Sequence, residues 1–191
     1  MTYKNPQIPL IAVPQGIDKP IQQIQEALGN GLSWLERSYG RARRGRQRRK
    51  NNREYFFPEV YEANGEYHPV EPNDNLSATS FFRLDGAEPI DPDYDPAVYN
   101  KFIARVWNIF WFNLPLIDNT LDYQFDQVLK NEILLVYQTI PVQQRILNVW
   151  HEPEDVYRTY TIDHTERQTD KYPYDILAFE LEISYEEDCL I

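Results

Sequence analysis

The residues best suited to acid–base or metal chemistry in this chain are its three histidines, His68, His151 and His164. Histidine changes charge near neutral pH and ligates metals through a neutral ring nitrogen. The pairs His151-Glu152 and His164-x-Glu166 each set a carboxylate beside an imidazole. Neither repeats the i, i+4 histidines that put two ligands on one helix face, and the single cysteine, Cys189, cannot build a thiolate cage. The run Asp91-Pro92-Asp93-Tyr94-Asp95-Pro96 has alternating carboxylates like a calcium loop. It lacks the sixth-position glycine and the distal glutamate, so it reads as an acidic, turn-rich linker. Seven scattered glycines form no phosphate cradle, and there is no G-x-S-x-G elbow. A metal-dependent nuclease needs carboxylates clustered beside a lysine, a grouping that none of the lysines shows. The expectation is a protein that is not an enzyme and uses no cofactor or metal.

The strongest chemical signal is instead a charge asymmetry. The stretch RSYGRARRGRQRRKNNR, residues 37–53, has nine basic side chains and no acidic one. Nineteen basic residues in all leave ten outside it, against 30 acidic ones, a balance of −20 for the rest of the chain. Arg41, Arg43, Arg44, Arg46, Arg48, Arg49 and Lys50 are the candidate contact residues. They suit a nucleic-acid arm, a dock onto an acidic neighbour that could be a second copy of this chain, or a solvated loop. Like charges packed this closely repel, so the sequence alone suggests a mobile basic loop.

The 191 residues suffice for one domain with its own core. Aromatics make up 14% of the chain, enough to serve both a core and an interface. The odd cysteine argues against a disulfide framework, the proline-broken N-terminus is no signal peptide, and no apolar run is long enough to span a membrane. A soluble, intracellular product without a membrane partner is expected.

The elements that must position the basic segment read as follows. Residues 1–17 form an extended, proline-rich arm, and 18–191 a single domain. Residues 18–36 form a helix capped by Asp18, with Ile21, Ile24, Leu28, Leu32 and Leu35 on one face. Gly29 and Gly31 weaken it enough to allow a kink or early stop. Residues 54–60 and 66–70 are short strands around Asn64-Gly65, which Pro58 and Pro69 confine to sheet edges. Residues 77–85 form a strand, and 86–98 a proline-rich acidic loop. The strand 100–113 is apolar on both faces, and Trp107 and Trp111 are the candidate oligomer-interface residues. Residues 119–138 form the second helix, with Asp118 or Asn119 as its cap, and 143–150 and 155–163 two strands. The strand 174–186 alternates Leu177, Phe179, Leu181, Ile183 and Tyr185 against Glu180, Glu182 and Ser184, as a sheet with one wet face does. Strands and helices do not alternate, so the fold class is α+β: a mainly antiparallel sheet with two helices packed on one face.

This element order resembles the phage tail terminator proteins, also called tail completion proteins. The resemblance lies in a first helix over 21–35, an apolar strand over 102–112, a helix over 121–137 and a last strand YPYDILAFELEISYEE over 172–187. It implies a virion protein, assembled in the host cytoplasm, whose ring of six copies caps the tail tube and joins the head–tail neck. Tube and neck or connector proteins would be its partners, and an acidic lumen would let DNA pass without binding it. The basic stretch, the N-terminal arm and the 86–98 linker depart from the family pattern. The alternative expectation is a nucleic-acid-binding protein acting through 37–53.

Overall fold

A strand that is apolar on both faces must be covered on both, and this requirement organises the molecule. The computed structural model of the chain describes residues 7–48, 54–70, 72–91, 99–120, 125–161 and 172–188. Along the chain come helix α1 (Asp18–Gly31), strands β1 (Arg37–Arg48), β2 (Glu54–Ala63), β3 (Glu66–Pro69), β4 (Ala78–Leu84) and β5 (Tyr99–Asn113). Helices α2 (Leu114–Ile117) and α3 (Phe125–Tyr137), strand β6 (Gln144–Trp150), the short helix α4 (Pro153–Val156) and strand β7 (Tyr174–Asp188) follow. The strands form one sheet in the order β3-β2-β1-β4-β5-β7-β6. Every neighbouring pair is antiparallel except β1 with β4. The fold is α+β, with a mixed, mostly antiparallel sheet.

The expected pair of helices lies on one face. Ile21, Ile24 and Leu28 of α1 and Leu129, Ile133 and Tyr137 of α3 share a core with Phe82, Val106, Phe110, Phe112, Phe179 and Leu181 of the sheet. Each such side chain contributes about 1.5–3 kcal/mol by leaving water. Trp34, just after α1, donates its indole N–H to Glu132 of α3 at 2.6 Å, tying the helices together. The first helix stops at Gly31, short of the expected residue 36. Asp18 is also not its cap. Ile17 holds that position without a side-chain bond, and Asp18 faces Arg41 instead.

The second face is not simply wet. Tyr39, Val60, Phe81, Trp107, Ile109, Val156, Tyr157, Ile176 and Ala178 form a smaller core there. Glu180, expected to point into solvent, is buried and accepts hydrogen bonds from Asn148 at 2.7 Å and the Trp150 indole at 3.3 Å. The cover comes partly from the segment read as a strand over 155–163, which is α4 and a turn. Pro153 suits a first helical turn, where its missing N–H leaves no bond unmade.

The N-terminal arm is extended but lies against its own domain over the described residues. Gln7 bridges Arg37 in parallel, Gln25 of α1 donates to the Pro9 carbonyl at 2.9 Å, and Ile8 fills the space above Gly29. The hairpin at Asn64-Gly65 is as expected, both residues having positive φ (53° and 81°). Pro69 lies on the edge strand. Pro58 is in the second strand, but beyond the end of β3, whose pairing begins at Glu59↔Pro69.

Candidate functional site: a basic ribbon on an acidic body

The basic segment, expected as a mobile loop, is a strand over Arg37–Arg48. Its first half belongs to the sheet, where residues 37–42 pair with β4. The register slips between Ser38 and Arg41, so β1 carries one extra residue there. Such a bulge bends and twists a strand away from its neighbour. Beyond it, residues 43–48 pair only with residues 54–59 of β2. Residues 54–58 in turn lie past the end of β3. The distal part of β1 and β2 is therefore a two-stranded ribbon, paired with neither β4 nor β3. Thr161 steadies it from one side, its hydroxyl accepting from the Phe56 amide and its own amide donating to the Phe56 carbonyl, both at 2.8 Å. Gly45 is needed in the ribbon, because a Cβ there would fall 2.6 Å from the Phe57 ring.

Counter-charges supplied by other elements overcome the expected repulsion. Arg41 donates through Nε and Nη2 to both Asp18 oxygens, at 2.7 and 2.8 Å, anchoring the ribbon's base to α1. That fork raises the Arg41 pKa further. Arg43 pairs with Glu59 at 2.8 Å and stacks 3.9 Å over Tyr67, while Arg46 pairs with Glu54. Arg44 meets no carboxylate among the described residues and lies 3.8 Å over the Phe56 ring. Exposed pairs of this kind contribute at most about 1 kcal/mol each. Together they still neutralise three of the arginines that would drive the strand apart. Arg48 ends the described strand. The candidates Arg49 and Lys50, with Arg53, lie outside the described residues.

The two candidate interface tryptophans require a correction. Trp107 is 1% exposed and Trp111 3%, so the chain itself covers both. Trp107 stacks on Trp150 at 5.2 Å, with the Arg83 and Arg158 guanidinium groups 4.3 and 4.9 Å from its ring. Arg83 donates to the Val156 carbonyl at 2.6 Å and Arg158 to Asp85 at 2.8 Å, so the two arginines pin the α4 turn over the indole. Burial lowers the Arg83 pKa from its ordinary value. Trp111 stacks on Tyr174 at 5.3 Å.

At the opposite end of the sheet from the ribbon, acidic groups crowd together. Asp126, His151 and Asp175 meet there, with His151 Nδ1 3.8 Å from an Asp126 oxygen. Burial raises the Asp175 pKa, with the Asp126 charge adding to the effect. A carboxyl with a raised folded pKa stabilises the fold only while protonated, and that stability is lost as pH rises through the folded value. Asp175→Asn keeps the acceptor for the Ile176 amide, 2.8 Å away, and removes the charge. The variant should match the wild type in strong acid and exceed it at neutral pH, as read from urea midpoints. An unchanged difference across that range would refute the assignment.

The other sequence candidates do not converge. His68 lies on the exposed edge strand, 3.8 and 3.7 Å from Glu62 and Glu66. Asp91 pairs with Lys101 at 3.2 Å. Residues 92–98, His164, Glu166 and Cys189 lie outside the described residues. Among the described residues, no group of three His, Cys, Asp or Glu is placed to hold a metal ion, and no helix is long and apolar enough to cross a membrane. Glu54, Glu59 and Arg83 were not singled out from sequence, and Asp18 and Glu180 were read as a helix cap and a solvent-facing residue. Only the alternation of glutamates with aromatics in EYFFPEVYE hinted that β2 could pair with a basic strand. No protein-family model and no curated protein matches this chain.

Proposed function

We propose that the chain is a structural subunit that assembles head to tail with its own copies, the basic ribbon of one copy seated on the acidic body of the next. The observation that carries this reading is the ribbon, a cation-rich pair of strands on a chain whose remainder balances to −20. A surface that repels itself but fits a different surface of the same molecule makes a heterologous contact, which closes into a ring when the rotation allows. A ring of six capping a phage tail tube at the neck is the assembly the resemblance to tail terminators implies. An acidic lumen would repel passing DNA. The burial of Trp107 and Trp111 takes away one reason for expecting partners, so the reading rests on charge rather than on uncovered apolar surface.

Light scattering across a salt series tests it. Oligomers should form at about 50 mM salt and dissociate toward 500 mM, where the screening length is roughly halved or less. The double variant Arg44→Glu/Arg46→Glu should associate at least roughly tenfold more weakly, because like charges then face each other. A particle of 22.8 kDa at every concentration and salt level would end the proposal.

A second reading has its own support. A two-stranded ribbon fits the roughly 12 Å width of the DNA major groove. It requires DNA affinity that falls steeply with salt and disappears when Arg44, Arg46 and Arg48 become Gln. Absence of binding at low salt would eliminate it.

A further inference from the structure

A second feature lies at the other end of β1, away from the ribbon. Residues from the start of β1 (Arg37, Tyr39), the end of β2 (Glu62), β3 and the residue after it (His68, Val70), the following loop (Asn73, Leu76) and β4 (Thr79) enclose a pocket of about 270 Å³. That lies just below the 300–1,000 Å³ usual for drug-sized ligands, and so suits a molecule the size of a small amino acid.

The pocket lining carries both signs of charge, Arg37 and Glu62. The Arg37 side chain forms no hydrogen bond or ion pair with any described residue, in a chain with 30 acidic side chains. The other arginines with described side chains are engaged, for example Arg41 by Asp18, Arg145 by Glu182 and Arg158 by Asp85. A guanidinium offers a planar fork of donors that matches a carboxylate. Thr79 lines the same cavity, and its hydroxyl makes no hydrogen bond with a described residue. A hydroxyl lining the cavity can donate to a ligand oxygen there. Glu62 accepts from the Tyr39 hydroxyl at 3.0 Å, and its second oxygen lies 3.8 Å from His68 Nε2. Val70, Leu76 and Pro69 supply apolar wall.

We infer that this pocket binds a small zwitterion, its carboxylate on Arg37 and Thr79 and its ammonium on Glu62. A plain anion would meet the charge of Glu62 and a plain cation that of Arg37. Only a ligand carrying both charges satisfies both side chains. The ligand class is an amino acid whose charges are separated by a short methylene linker, which the apolar wall receives.

The test is an NMR amide-shift titration of the full chain with glycine, β-alanine and γ-aminobutyrate, alongside acetate and butylamine. At least one zwitterion should give saturating shifts at Arg37, His68 and Thr79, with a Kd roughly tenfold or more below those of acetate and butylamine. Arg37→Gln should abolish saturation. Glu62→Gln should weaken zwitterion binding to the level of acetate, and Thr79→Val should weaken it several-fold. Glu62 is exposed and Arg37 half-buried, and neither belongs to a core cluster, so their variants should keep the wild-type spectrum elsewhere. Three results would each overturn the inference: no saturation with any probe, equal affinity for acetate and the best zwitterion, or unchanged binding in Arg37→Gln.

Discussion

Trp107→Ala should destabilise the fold by about 3–5 kcal/mol, the range for removing a large aromatic from a packed core. The indole is 1% exposed and lies between Trp150 on one side and the Arg83 and Arg158 groups on the other. Its loss removes apolar burial, a stacking partner and the surface on which two cations rest. It also leaves Arg83 buried with two nitrogens that already lack hydrogen-bond partners. Buried charges without compensation are expensive, so the upper part of the range applies. Chemical denaturation of the isolated chain measures the effect. If Trp107 acted at a subunit interface instead, the isolated chain would keep its midpoint and only assembly would weaken. A loss below about 1 kcal/mol would contradict the covered position.

Tyr137→Phe should cost about 1–3 kcal/mol, although it removes only one oxygen. Asn108 sits in the middle of β5 on the helix face, fully buried among Val106, Phe110 and Phe179. Its Nδ2 donates to the Tyr137 hydroxyl of α3 at 2.7 Å, while its Oδ1 has no partner. Deleting the hydroxyl leaves the buried amide with no side-chain partner at all. The same burial holds the Tyr137 hydroxyl well above its ordinary pKa, so it remains a neutral phenol. The double variant Asn108→Leu/Tyr137→Phe should recover most of the loss, since neither polar group then remains to be satisfied. Full additivity of the two single changes would show that the pair does not act as a unit.

Several elements were legible because their signals are local. The period of Ile21, Ile24 and Leu28 marked α1, although the helix stops at Gly31, before the expected residue 36. The twofold alternation of Leu177, Phe179, Leu181 and Ile183 marked β7, and all four face the helices. The doubly apolar run over 100–113 marked a strand covered on both faces by its own sheet or by a partner, and β5 lies inside the sheet, its tryptophans covered by the chain itself. Asn64-Gly65 announced a tight hairpin. The misread elements depended on distant partners. Nothing within residues 37–48 shows that Asp18, Glu54 and Glu59 will neutralise them, so repulsion alone suggested a loop. Residues 155–163 carry strand-like side chains, but Arg83 and Arg158, with Trp107 beneath, hold the described part as a helix and turn.

The sequence by itself determined the α+β class, the helix-bearing face of the sheet and the imbalance between a basic stretch and an acidic remainder. Each follows from composition or from periodicity along neighbouring residues, which the backbone geometry of helices and strands imposes directly. The tertiary structure alone decided that the arginines form a ribbon, that the chain seals its own tryptophans, and that Arg37 and Glu62 face one pocket. Those outcomes depend on charges and rings brought together across the sheet from residues far apart in the chain. Coulombic pairing and burial act through space, and no local pattern of residues records them.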